Sequence, residues 1–159
     1  MTCETAPLRI RPATPEDATG MSRLLTAILK AKNSPRPSAP EDVLARYIED
    51  PDRIACTLAE AGGEVIGFQS LKRARAGNPY GVTPGWGIIG TYVDANHNGR
   101  GIGRRLFDVS HRAAIEAGLP AIDASIGHAN TGGQAYYEAM GFRNYGETPS
   151  AVMKKFTLS

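Results

Sequence analysis

Residues 86–106 read Trp86-Gly-Ile-Ile-Gly-Thr-Tyr-Val-Asp-Ala-Asn-His-Asn-Gly-Arg-Gly-Ile-Gly-Arg-Arg-Leu106. An apolar run from Ile88 to Val93 leads into three alternating glycines, three arginines and the start of a helical pattern. Glycine lets backbone come close to a ligand, and positive φ costs it nothing. The amides of such a turn and of the helix behind it converge where the helix dipole favours negative charge. Arg100, Arg104 and Arg105 add cations suited to phosphate oxygens, so the stretch reads as a pyrophosphate cradle. Spacing excludes two other phosphate motifs. A G-x-G-x-x-G fingerprint from Gly99 or Gly101 would need glycine at Arg104 or Leu106, and a P-loop would need a Gly-Lys step that the chain lacks.

Outward from this stretch, the chain of 159 residues suits one domain with a core that needs no metal or disulfide. Residues 1–7 read as a tail and 8–159 as the domain. A composition of 42% hydrophobic and 21% charged residues is that of a globular protein, and a net charge of +2 gives no reason to expect nucleic acid. Cys3 and Cys56 form no C-x-x-C pair and read as free thiols of a reducing compartment. No apolar stretch approaches the ~18 residues of a membrane span and no signal-peptide core precedes the domain, so a cytoplasmic protein without membrane contact is expected.

Leu8-Arg9-Ile10-Arg11 alternates as a half-buried strand. Thr14-Pro15-Glu16-Asp17 opens a helix carrying Met21, Leu24, Leu25, Ile28 and Leu29. A loop over residues 33–39 precedes a second helix with Val43, Leu44, Tyr47 and Ile48, capped by Ser38 and Glu41. Ile54–Ala61 and Glu64–Lys72 form a hairpin turning at Gly62-Gly63. Residues 75–85 are a second loop, and Trp86 to Asp94 a strand. The helix after the cradle buries Ile102, Leu106, Val109 and Ala113 and closes at Gly118. A strand over 121–126, a helix over 130–140 and two strands from Phe142 onward complete the order β-α-α-β-β-β-α-β-α-β-β. This is an α/β (α+β) domain: a mostly antiparallel mixed sheet of six to seven strands flanked by about four helices.

Two segments about 30 residues apart resemble the GCN5-related N-acetyltransferase (GNAT) superfamily. Tyr92-Val93-Asp94 leading into Gly99-Arg100-Gly101-Ile102-Gly103-Arg104 is similar to its acyl-CoA motif, [Q/R]-x-x-G-x-[G/A]. Asn130 with Tyr137-Glu138-Ala139-Met140-Gly141-Phe142 is similar to its N-(x)6-Y-x-x-x-G-F segment. Asn98 departs from the first motif, and Ser125 stands where some members carry a catalytic glutamate. The resemblance implies acetyl-CoA as co-substrate, with no metal, and direct transfer of the acetyl group to a primary amine of a small molecule. A protein or peptide N-acetyltransferase and a non-catalytic acyl-CoA-binding module are the alternatives.

The resemblance also assigns positions. Thr91, Tyr92 and Val93 would pair with the pantetheine arm, Asn98 through Arg104 would hold the pyrophosphate, and Asn130 would reach the pantetheine or sulfur. Tyr137 would be the general acid, its other reading being an amphipathic core residue. The base stays open among Asp123, which shares a strand face with Ser125, then His128 and Asp94. The loops 33–39 and 75–85 would select the substrate, with Tyr80, Trp86 and Tyr145 as aromatic candidates. His97 and His111 read as a loop residue and a solvated helix residue, and the three dispersed histidines give no metal site. The expected partners are a small-molecule amine and, as an option, a second copy of the chain.

Overall fold

A computed structural model describes residues 7–97 and 100–158. Asn98 and Gly99, and the tail apart from Pro7, lie outside the described residues. The strands are β1 (Leu8–Pro12), β2 (Arg53–Ala61), β3 (Glu64–Arg73), β4 (Gly87–Val93), β5 (Ala121–Gly127), β6 (Arg143–Glu147) and β7 (Ala151–Thr157). The helices are α1 (Ala18–Ala31), α2 (Pro40–Val43), α3 (Ile102–Glu116) and α4 (Thr131–Met140). The seven strands form one sheet in the order β1-β2-β3-β4-β5-β7-β6. Only β4 and β5 run parallel. Element order and sheet character agree with the pattern in the sequence.

Alternation along the strands divides the core between two faces. On one, Cys56, Leu58 and Phe68 pack against Met21, Leu25 and Leu29 of α1 and against Val43 and Ile48. On the other, Ala59 and Ile66 meet Ile102 and Leu106 at the start of α3. Farther along that face Leu71, Ile89, Ile122, Ala124 and Ile126 meet Phe107, Ala114, Tyr137 and Phe142. Ile66 reaches the α3 face because the register skips it: Ala59 pairs with Gly67 and Glu60 with Val65. That is a bulge. The hairpin turns where expected, with Gly62 and Gly63 at φ 60° and 79°.

The pairing of β4 and β5 sets up everything else. β4 pairs with β3 along its whole length, from Gly87↔Arg73 to Val93↔Gly67. β5 pairs with β7 from Ala121↔Thr157 to Gly127↔Ala151. Between themselves the two strands register only at Gly87↔Ile122 and Ile88↔Asp123. Beyond these pairs they diverge, which opens a wedge in the middle of the sheet.

Three local expectations are corrected. The second helix is capped one residue later, at Ala39, whose N–H donates to the Asp42 carboxylate at 3.1 Å. Ser38 is not available for capping. Its hydroxyl lies 2.8 Å from Thr26 Oγ1, and its carbonyl accepts from Ser22 Oγ at 2.5 Å. After Val43 this helix loosens into a π-type turn over Leu44–Ile48. The buried stripe of α3 is Ile102, Leu106, Phe107, Ser110 and Ala114 rather than one through Val109 and Ala113, because Phe107 turns to Phe142 and Phe156. His111, at the same place, lies over Phe107 and Phe156, with centroids 5.5 and 4.8 Å away.

Phe142 is fully buried, with Tyr137, Phe156 and Phe107 rings 5.1, 5.4 and 5.5 Å away. Replacing it by alanine removes the centre of this cluster. Phe142→Ala is expected to lower unfolding stability by about 3–5 kcal/mol in urea titration. A loss under about 1 kcal/mol would show that the cluster does not hold α4 to the sheet.

Candidate active site

Two cavities meet at the wedge. The larger, about 1010 Å³, runs between α1, the ends of β3 and β4, the start of α3 and the start of α4. The smaller, about 390 Å³, lies between the loops that follow α1 and β3, β4 and the face of β5 that carries Asp123 and Ser125. Thr91, Tyr92, Asn130 and Tyr137 line both.

The larger cavity collects most of the residues expected to hold a phosphate ligand. Thr91, Tyr92, Val93, Gly101, Ile102, Gly103, Arg104 and Asn130 all line it. Gly101 is the N-cap of α3 in the left-handed region, φ 73°, and has no side chain to cap the amides behind it. A Cβ there would meet nothing within 4 Å, so the space above the turn is open. Gly103 is glycine for another reason: its Cβ would fall 2.5 Å from the Tyr136 ring. Arg100 lies just before this turn, and Asn98 and Gly99 are outside the described residues.

Asn130 is the N-cap of α4. Its Oδ1 accepts from Gly133 N–H at 2.9 Å, which leaves Nδ2 as the group it can offer to a ligand. This also explains a glycine inside a helix, normally costing roughly 1 kcal/mol. A Cβ on Gly133 would come within 2.5 Å of Asn130 Nδ2.

Tyr137 projects from α4 into the apex of the wedge, and its hydroxyl lies 2.7 Å from Thr91 Oγ1 on β4. Burial pushes its pKa well above the ordinary phenol value, so it is protonated at neutral pH. The neighbouring hydrogen bonds tie this pair into a buried network. Tyr136 donates to Gly103 O at 2.7 Å, so the Tyr136 oxygen must accept from Gln69 Nε2 at 3.1 Å. The same amide nitrogen donates to Thr91 Oγ1 at 2.9 Å. Thr91 Oγ1 thus accepts from Gln69 and shares a second hydrogen bond with the Tyr137 hydroxyl, in which either oxygen can donate. Burial raises Tyr136 as well, to about 12. Gln69, Tyr136 and the Thr91 side chain were not among the residues read from the sequence. Only the adjacency Tyr136-Tyr137 hinted at them.

Asp123 and Ser125 do share one face of β5, and both line the smaller cavity. Asp123 accepts from Tyr145 OH at 2.5 Å and from Ser125 Oγ at 3.1 Å. Burial raises its pKa against these two hydrogen bonds, which lower it. The other base candidates lie outside the smaller cavity, Asp94 on the wall of the larger one. Asp94 accepts from Asn96 N–H at 2.9 Å within its own turn. His128 sits 2.8 Å from Thr148 O at the β6–β7 turn and lines neither cavity. Tyr80 lines the smaller cavity, whereas Trp86 lines neither and packs on Tyr145 at 5.5 Å. Arg36, from the loop over residues 33–39, is a further missed residue: it donates to Tyr92 OH at 2.7 Å and Tyr47 OH at 3.1 Å. Among the described residues no cluster of three His, Cys, Asp or Glu side chains could hold a metal.

The model of the acetyltransferase (GNAT) family matches residues 21–142. No curated protein matches the chain. Among solved structures, yncA of Salmonella typhimurium, solved with its cofactor acetyl-CoA, superposes with a TM-score of 0.78 at 19% identity, over 96% of this chain and 94% of that one. The GNAT domain of S. lividans PAT gives 0.79 at 22%, over 95% and 90%. A GCN5-related N-acetyltransferase from Kribbella flavida gives 0.78 at 20%, over 95% and 98%. At these identities the likeness is one of fold.

The raised pKa of Asp123 has a consequence for stability. The folded chain holds this proton more tightly than the unfolded chain, so ionised Asp123 destabilises the fold. The penalty is absent below the ordinary carboxylate value of about 3.9 and grows as pH rises through the folded value. Asp123→Asn is thus expected to melt higher than the parent at pH 7, with the difference shrinking toward pH 4. A melting offset that is constant across that range would contradict the assignment.

Proposed function

Since the chain belongs to the acetyltransferase (GNAT) family, we propose that it moves an acetyl group directly from acetyl-CoA to the primary amine of a small molecule. The observation that carries this reading is the meeting of two cavities at Thr91, Tyr92, Asn130 and Tyr137, with the Tyr137 hydroxyl at the junction. The larger cavity suits the donor. The first-turn amides of α3 at Ile102, Gly103 and Arg104 would receive the pyrophosphate, aided by the Arg104 charge. The edge of β4 that faces the wedge, unpaired with β5 from Ile89 onward, would hydrogen-bond the pantetheine amides as an added strand does. Asn130 Nδ2 would donate alongside. When bound, acetyl-CoA supplies a thioester acyl group and leaves as a thiolate that requires a proton.

Tyr137 would hold that proton at its hydroxyl oxygen and turn it to the cavity when Thr91, which accepts from Gln69, donates to it. On the acceptor side an amine with pKa about 10.4 is neutral in only about one molecule in a few thousand at pH 7. Asp123, raised by burial and opening on the smaller cavity with Ser125, is the carboxylate placed to take the excess proton, directly or through water. A cavity of about 390 Å³ walled by two loops favours a small molecule over an extended peptide.

Acetyl-CoA at millimolar concentration is expected to raise the melting temperature, since it binds the folded state alone. The absence of any shift would overturn the donor assignment. Tyr137→Phe should retain that shift while kcat falls by roughly 10²–10⁴, and Thr91→Val should lower kcat by roughly tenfold. Because burial raises Tyr137, the wild-type kcat should climb with pH and show no descending limb below about pH 10. A descending limb near pH 8–9 would assign the acid to another group.

A further inference from the structure

Arg36 comes from a proline-bearing loop, yet its side chain is pinned. Its Nη2 donates to Tyr92 and Tyr47 hydroxyls at 2.7 and 3.1 Å, and the guanidinium lies 5.5 Å from the centre of the Tyr92 ring. The two phenols, themselves 3.5 Å apart, are held upright by their packing on Phe68. Hydroxyls orient a cation but do not neutralise it. Among the described residues no carboxylate lies within 4 Å of Arg36, and its Nε and Nη1 donors point to no protein acceptor. A guanidinium held in this way presents a flat fork of donors, the shape that a carboxylate accepts.

The charge around it is one-sided. The walls of the smaller cavity carry Lys32, Arg36, Arg46, Arg53 and Lys72 against Asp50 and Asp123. Asp50 is matched by Lys72 at 3.4 Å, which leaves Lys32, Arg36, Arg46 and Arg53 against Asp123 alone. A simple amine arrives as a cation, and this field repels it. A zwitterion with a carboxylate at one end and an ammonium at the other is accepted and oriented. The strand supplies the orientation: Tyr92 points to Arg36 while Thr91, its neighbour on β4, points to Tyr137 on the other face. Arg36 and Tyr137 line the same smaller cavity, so an anion at one and a reacting nitrogen near the other would belong to one bound molecule.

We propose that the smaller cavity is a carboxylate-recognising acceptor site, its substrate class being small amino acids, with Arg36 receiving the carboxylate. The proposal rests on the reading of the chain as an N-acetyltransferase of small amines. The test takes the twenty common amino acids, each with its carboxamide, in two arms. One follows CoA thiol release from acetyl-CoA; the other follows the melting temperature of the CoA-saturated protein. The expected result is at least one amino acid whose kcat/KM exceeds that of its amide tenfold or more. In Arg36→Gln this ratio falls to about one, mainly through KM, and Arg36→Lys restores part of it. Amides acetylated as well as their acids, or a ratio unchanged in Arg36→Gln, would overturn the carboxylate site and leave the transferase reading in place. Arg36-dependent binding of an amino acid with no turnover would support the site and count against amine transfer. No amino acid binding and none turning over would overturn it.

Discussion

The constraint on which the rest depends is the two-residue contact between β4 and β5. A parallel pair normally continues while both strands remain extended, because each unpaired backbone group at an edge seeks a partner. Here each strand follows a different neighbour, β3 or β7, and the two separate. The hinge of the wedge is Gly87, where a Cβ would lie 2.9 Å from Leu71 and Leu119 side chains. A side chain there would force the ends of both leucines to shift. What keeps the opening from collapsing is Tyr137, whose ring packs on Phe142 and whose hydroxyl reaches across to Thr91. One side chain thus closes the apex of the wedge and is also the acid proposed above.

α4 must then be held in register with the sheet. Lys154 on β7 is almost completely buried, with Nζ 2.7 Å from Glu138 and in hydrogen-bond contact with Asn144. A lysine sequestered in this way is tolerable only while its charge is matched. Glu138 follows Tyr137 in sequence, so this ion pair and the Tyr137–Thr91 bond tie the same turn of α4 to two different strands. The Phe107–Phe142–Phe156 cluster fills the space beneath.

The architecture was legible in the sequence because its signals are local. Alternation in Leu8–Arg11, the paired glycines at 62 and 63, and Gly118 and Gly141 behind helices all act within a few residues. The left-handed glycine turn at the start of α3 was legible for the same reason. Gln69, Tyr47 and Arg36 were not, because their importance comes from partners 22, 45 and 56 positions away, Thr91 for the first and Tyr92 for the other two. Tyr47 in particular has the spacing of a core residue, and its ring does pack on Phe68, while its hydroxyl faces the cavity. The capping of α2 shows the opposite failure: a sound local pattern at Ser38 and Glu41 lost to a tertiary bond, since Ser22 and Thr26 of α1 claim Ser38 first.

The division of labour across the wedge has a consequence for how such a protein can change over time. The donor side is made of elements that also build the fold: β4, the first turn of α3 and the first turn of α4. The smaller cavity, proposed above as the acceptor site, is lined by Arg36 and Tyr80, both exposed and both in loops, one following α1 and the other held by Asn78. Substitutions there leave the core packing untouched and fall where surface changes usually cost little stability. On that proposal, new acceptors can be explored by drift in two loops while the donor side stays in place. A scaffold divided in this way can change what it accepts without having to be rebuilt.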